Sequence, residues 1–221
     1  MVQKINWKNF WVDMLGILLG ITIAFQLQSW KERQGDRKLT KQYLQGMTTD
    51  LEDDIAKLNY LADTTRYSFR QSMKLNNNLI RGNYEGDSIF MQVMSLFEVN
   101  EFLPTKTSYE SLVNSGDLTL IKDFDLRQDI TRVYSTIYDE VEFYDNTHTG
   151  LFGTIIYPYI NKEISFTGST RFGDNSFLAT NEFVNLSFAN RYSLYNQLVS
   201  YEKALKATTD LKAKIDSTLQ R

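Results

Sequence analysis

From Lys31 to Ile80 the chain contains no proline, and its apolar residues recur at helical spacing: Leu44, Met47, Leu51, Ile55, Leu58 and Ala62, then Phe69, Met73 and Ile80. One long helix satisfies this pattern, with Gly35 and Gly46 as its weak points and the glycine-rich "RGNYEGD" as its end. About 50 residues of helix reach roughly 70 Å. A rod of that length cannot bury its apolar stripe on itself, because an amphipathic helix takes most of its stability from tertiary contacts. The chain therefore has to supply partner helices, and the fold class is all-α.

Two further stretches supply them. From Asp123, the positions Phe124, Leu126, Ile130, Val133, Tyr134, Ile137, Tyr138, Val141 and Tyr144 predict a second long helix, reaching Asn146 at least, with Pro158 as its outer limit. Asn181 to Leu219 repeats Phe183, Leu186, Leu194, Leu198, Leu205, Leu211, Ile215 and Leu219, a third helix of about 39 residues. The connecting sequence predicts short helices, one capped by Asp87 or Ser88 and one by Thr107 or Ser108. In the second, Tyr109, Leu112 and Val113 share a face and Gly116 stands where a left-handed helix end favours glycine. Tyr109, Leu112 and Gly116 are thus expected to form a structural turn at the far tip of an elongated bundle of about three long helices, with the short helices gathered at that tip. A short hairpin is expected around Thr167 to Thr170.

Ahead of the bundle lies "WVDMLGILLGITIAFQLQSWKERQ", Trp11 to Gln34. Phe10 to Trp30 is about 21 residues, roughly 30 Å of helix, which matches the hydrocarbon thickness of a bilayer. The uninterrupted apolar part, Met14 to Phe25, is about 12 residues. No small-x-small cleavage site follows it, and Trp7, Trp11 and Trp30 stand where aromatic belts stand at two membrane interfaces. The expectation is an uncleaved single-pass transmembrane helix: residues 1–34 as tail and anchor, residues 35–221 as an extramembrane helical bundle. Gly16, Gly20 and Ala24 recur every four residues, and Asp13 and Gln28 extend the same row. Small residues let membrane helices approach closely and polar groups there prefer a protein partner, so the row reads as a helix–helix interface. Asp13 has two readings, an interfacial charge or an ion-pathway carboxylate.

Composition removes several functions. With 42% hydrophobic and 14% aromatic residues the chain can form a core, while a net charge of -3 and no basic stripe interleaved with aromatics outside the juxtamembrane segment exclude nucleic acid as an expected partner. It has no cysteine and one histidine, His148, so a zinc site of the usual nitrogen and sulfur ligands cannot be built; His148 reads as structural or solvent-facing. The acidic run Asp50, Glu52, Asp53 and Asp54 spreads around a helix and reads as a solvated face rather than paired carboxylates. Without a phosphate loop or a nucleophile motif, neither an enzyme nor a bound cofactor is expected.

Two stretches, "DMLGILLGITIAFQLQSWKERQ" and "TSYESLVNSGDLTLIKDFDLRQDITRVYSTI", resemble the conserved blocks of an uncharacterised single-pass membrane protein family of Bacteroidota, catalogued as a domain of unknown function. Together they cover roughly a quarter of the chain. The resemblance implies the anchor-plus-helices architecture, and no activity or catalytic residue. Family members often carry a longer basic stretch before the span, where this chain has only Lys4 and Lys8. Lys31, Arg33, Arg37, Lys38 and Lys41 after the span, taken literally, place the large domain in the cytoplasm, whereas the basic amino termini of the family imply the periplasmic side of the inner membrane, the orientation favoured here. The functional expectation is a membrane-anchored structural or assembly protein that self-associates or docks as an accessory subunit of an envelope complex. The alternatives are a single-pass subunit of an ion-driven motor or transport complex using Asp13, and a helical sensor acting through a partner.

Overall fold

The computed structural model describes residues 7–165, 172 and 174–220, with the side chains of residues 7–10, 12, 13 and 87 outside that description. The described residues are all-helical. Helix α1 runs without a break from Trp7 to Arg81, 75 residues or roughly 110 Å. Its first part projects beyond the bundle, and burial begins near Leu44. Gly46 is no weak point: a Cβ there would lie 2.5 Å from the Ser108 hydroxyl, so the missing side chain is what lets α1 receive the next helices closely.

At the outer end, the tip, α1 stops at Gly82, whose φ of 66° needs glycine. Helix α2 (Asp87–Met94) and a 3-10 turn (Ser95–Phe97) fold over the tip. The chain then returns in extended form through Glu98–Lys106 to α3 (Thr107–Asn114), which lies against α1 at Gly46 and Asp50, near the base. The short helices therefore sit at both ends of the bundle and not together at one tip. The extended residues run from Asn100, beside Thr65, to Ser108, beside Asp50, a stretch of α1 of about 15 residues or roughly 22 Å, so the segment carries the chain down the basal half of the bundle. The α3 start lacks the side-chain cap expected from Thr107 or Ser108 and is capped from outside by Asp50, while Gly86, which has no side chain, precedes α2.

The second long helix is continuous from Phe124 to Glu163 in five consecutive segments: α4 (Phe124–Arg132), a π turn (Val133–Ile137), α5 (Tyr138–Leu151), a second π turn (Phe152–Ile156) and α6 (Tyr157–Glu163). Asp123 caps it by accepting the Leu126 N–H at 3.0 Å. The helix passes through Pro158 because the wide turn before it takes up the clash with the preceding carbonyl that proline creates in a regular helix. Helix α7 (Asn181–Leu219) is capped by Thr180, whose hydroxyl accepts the Phe183 N–H, and returns to the base, matching the expected span at both ends. The topology is up, up and down, with the extended segment as the missing fourth leg. The hairpin expected around residues 167–170 lies outside the described residues.

Two apolar cores fill the bundle. The basal one centres on Met47, Leu51, Leu58, Leu126, Tyr138 and Leu211, the distal one on Leu75, Val93, Ile160, Leu178 and Phe183. Between them the buried face of α1 is polar: Thr65, Ser68, Ser72 and Asn76 occupy it, while Met73 and Ile80, expected on it, are exposed. On α7 Ser187, Asn190, Ser193 and Gln197 continue the same layer. Within the described residues no helix is long and apolar enough to cross a membrane. The expected span draws on residues 10, 12 and 13, whose side chains are outside the description.

Candidate functional site

Three regions carry the residues singled out by the sequence. The first is the projecting part of α1. Leu15, Ile17, Leu18, Leu19, Ile21, Ile23, Phe25 and Leu27 are each between 55% and 71% exposed, the condition of a helix with nothing packed on any side. Gly16 and Gly20 have no atom within 4 Å of where a Cβ would stand, and Ala24 and Gln28 are exposed; the Gln28 amide donates to Glu32 Oε1 at 3.0 Å. This row therefore lies along one open face. The backbone of Asp13 belongs to α1, and its side chain is outside the description.

The second is the turn at the base. Leu112 is fully buried, and Gly116 has φ 79°, the left-handed conformation its place required. Tyr109 stacks on Tyr134 with centroids 4.4 Å apart and its hydroxyl shares a 2.9 Å hydrogen bond with Ser135. Tyr43 of α1 donates to Asp117 Oδ2 at 3.0 Å and binds Ser115, tying the turn to the base and not to the far tip.

The third was not expected: a set of buried polar side chains that hold the extended segment. Asp54 is fully buried, which corrects its reading as part of a solvated face; it accepts the Thr105 N–H at 2.8 Å and the Tyr138 hydroxyl at 3.0 Å. Asp145, also buried, accepts the Phe102 N–H at 2.7 Å, the Gln197 amide at 2.7 Å and the Tyr201 hydroxyl at 2.6 Å. Gln197 donates to the Asn100 carbonyl as well, and Lys57 donates to the Leu103 carbonyl at 3.0 Å. His148 Nε2 lies 3.1 Å from the Glu98 carbonyl, which can only accept, so Nε2 carries the proton and Nδ1 accepts from Ser193. The segment thus has its backbone bonded by side chains from α1, α5 and α7.

Burial governs the electrostatics of this set. It pushes the Asp145 carboxyl up, against the opposing pull of its three donors, and pushes His148 down. Tyr138 and Tyr201 are raised mainly by burial and then by the carboxylates they face, so both stay protonated and donate. The sequence held a signal for these residues. Met47, Leu51, Asp54 and Leu58 alternate spacings of four and three, as do Tyr138, Val141, Asp145 and His148, so each acid falls on the buried stripe. Among the described residues no group of three or more His, Asp or Glu stands where it could hold a metal ion.

These observations define an elongated helical bundle that carries an unburied apolar helix on its base and an internal polar layer joining its return segment to three helices. A family model described as a family of unknown function, DUF6090, matches residues 13–150, more than half of the chain, and the chain belongs to that family. The match takes in the apolar part of α1, the turn at the base and the pinned segment together. No curated protein and no solved structure matches the chain.

Proposed function

We propose that the protein is a membrane-anchored structural or assembly protein, held in the inner membrane by the apolar start of α1, with its bundle on the periplasmic side, which self-associates or docks as an accessory subunit of a larger envelope complex. The observation that carries this reading is the projecting helix: eight large apolar side chains exposed in one contiguous stretch, beside an open row of Gly16, Gly20 and Ala24. Contiguous apolar surface of that extent marks a membrane or protein contact. Continued through Phe10–Asp13, the run reaches the length a bilayer needs. Once in lipid, the small-residue row is the face on which another helix can pack backbone to backbone.

The test is native mass spectrometry of the full chain extracted in mild detergent, alongside a Gly16→Ile/Gly20→Ile variant. The expected result is a defined homo-oligomer, or a stoichiometric complex with a multi-spanning protein, that the variant fails to form while its bundle unfolds at the same temperature. A wild-type monomer, or an unaltered assembly in the variant, would sink the reading. A topology reporter at the carboxyl terminus checks the side of the membrane.

A further inference from the structure

We propose that the groove at the base of the bundle binds the headgroup of an anionic phospholipid, an inference that rests on the membrane-anchor reading. The groove encloses about 630 Å³ between the Arg33–Leu44 stretch of α1, the turn from Leu120 to Asp123 and the last turn of α7 at Leu219. Its floor is apolar, with Leu44, Ile121 and Leu126 buried beneath it. Its rim carries four cations, Arg33, Arg37, Lys41 and Lys122, against two carboxylates, Asp36 and Asp123. Asp123 is already engaged as the cap of α4. Among the described residues none of the four cations forms an ion pair, and Lys122 reaches only the Thr119 carbonyl, at 3.2 Å. The site is therefore an apolar hollow with a net positive rim, which complements a phosphate carried on a hydrocarbon body.

Its position fits that ligand. Arg33, one turn beyond Trp30, stands about 4.5 Å past it along the helix, within a headgroup layer that extends roughly 5–7 Å beyond the hydrocarbon, and Arg37 and Lys41 follow at about 10 and 16 Å, above that layer. With Trp30 at the interface, the Arg33 end of the groove lies among the headgroups and the rest of its rim faces them from just above. A second, shallower hollow on α1 shares Arg33 with the groove and runs back along Thr22, Phe25 and Ser29 to Ile21. An acyl chain lying in it leaves its phosphate at the cationic rim.

The experiment uses the full chain in non-ionic detergent with equal amounts of phosphatidylglycerol and phosphatidylcholine, the bound lipid being counted by native mass spectrometry. Preferential retention of phosphatidylglycerol is expected, and an Arg37→Gln/Lys122→Gln variant should weaken it about 5-fold for each cation removed. A charge-matched Lys31→Gln/Lys38→Gln control, away from the groove, should keep the preference. Both variants should unfold at the wild-type temperature without lipid, since none of the four side chains forms an ion pair among the described residues. Equal retention of the two lipids, an unchanged preference in the groove variant or an equal loss in the control would overturn the proposal; displacement by millimolar inorganic phosphate would overturn it in favour of a free-anion site. Flotation with pure phosphatidylcholine vesicles reports the anchor separately. A chain that floats without discriminating the lipids refutes the groove alone, and one that does not float refutes the anchor as well.

Discussion

Asp53 and Asp54 are adjacent, alike in charge and opposite in circumstance. Asp53 is exposed, whereas Asp54 is sealed between the Thr105 N–H and the Tyr138 hydroxyl. Removing a buried acceptor strands its donors at roughly 1–3 kcal/mol each, so Asp54→Ala should lower stability by about 3 kcal/mol, and Asp53→Ala should stay within about 0.5 kcal/mol. Denaturant midpoints at constant slope measure both. His148 gives a pH signature. Burial holds its pKa in the fold below the ordinary value of 6.5, so as pH falls below about 6.5 the unfolded chain takes up a proton that the folded chain refuses, and stability drops. The raised carboxyl of Asp145 acts in the opposite sense: folded, it keeps a proton above the usual carboxylate range, a contribution present at low pH and lost as pH rises through its folded value. His148→Gln should therefore flatten the decline in melting temperature between about pH 7 and 5.5, and a slope equal to that of the wild type would show that His148 does not control it.

At the level of the element, the two glycines of α1 differ as the two aspartates do. Gly35 has open space around it, so Gly35→Ala should firm the helix by about 1 kcal/mol, seen as slower amide exchange nearby. At Gly46 the same propensity gain meets the Ser108 hydroxyl and a Ser108 Cβ at 3.3 Å; Gly46→Val should push α3 off α1 and lower the melting temperature. The long helices were legible in the sequence because apolar periodicity and caps repeat along them, and both ends of α7 could be read. The rotation of α1 above Ala62 was not. There the buried stripe passes to Thr65, Ser68, Ser72 and Asn76, while Met73 and Ile80, the apolar residues in that stretch, face outward. Hydrophobicity marks a buried face only where the partner face is also apolar, and here α7 presents Ser187 and Asn190. The placement of α3 was equally hidden, because a proline and a lack of period announce a break around Pro104 without saying that the chain returns to the base through side-chain bonds from three helices. Gly116, by contrast, was readable, since a left-handed helix end needs the residue type itself.

Across the whole molecule, the polar layer divides the bundle into halves whose apolar contacts are separate. Ser68 and Ser72 hydroxyls and both ends of the Asn190 amide have no hydrogen-bond partner there among the described residues, so this layer contributes less cohesion than either core. Native-state hydrogen exchange should resolve two cooperative units, residues 44–62 with 198–215 and residues 75–97 with 152–186. Ile160→Ala, which opens a cavity in the distal core at a cost of about 2–5 kcal/mol, should lower protection in the second unit before the first; uniform loss would show one unit. The extended segment joins them. Its bonds connect residues 35 to 97 positions apart, and the full set forms only when α1, α5 and α7 stand side by side. An extended strand is also the shape in which a protease engages a backbone. Only in the finished bundle are the amides and carbonyls of Glu98–Lys106 tied down from three directions, so a half-made or damaged copy offers at its centre the stretch where it is first cut.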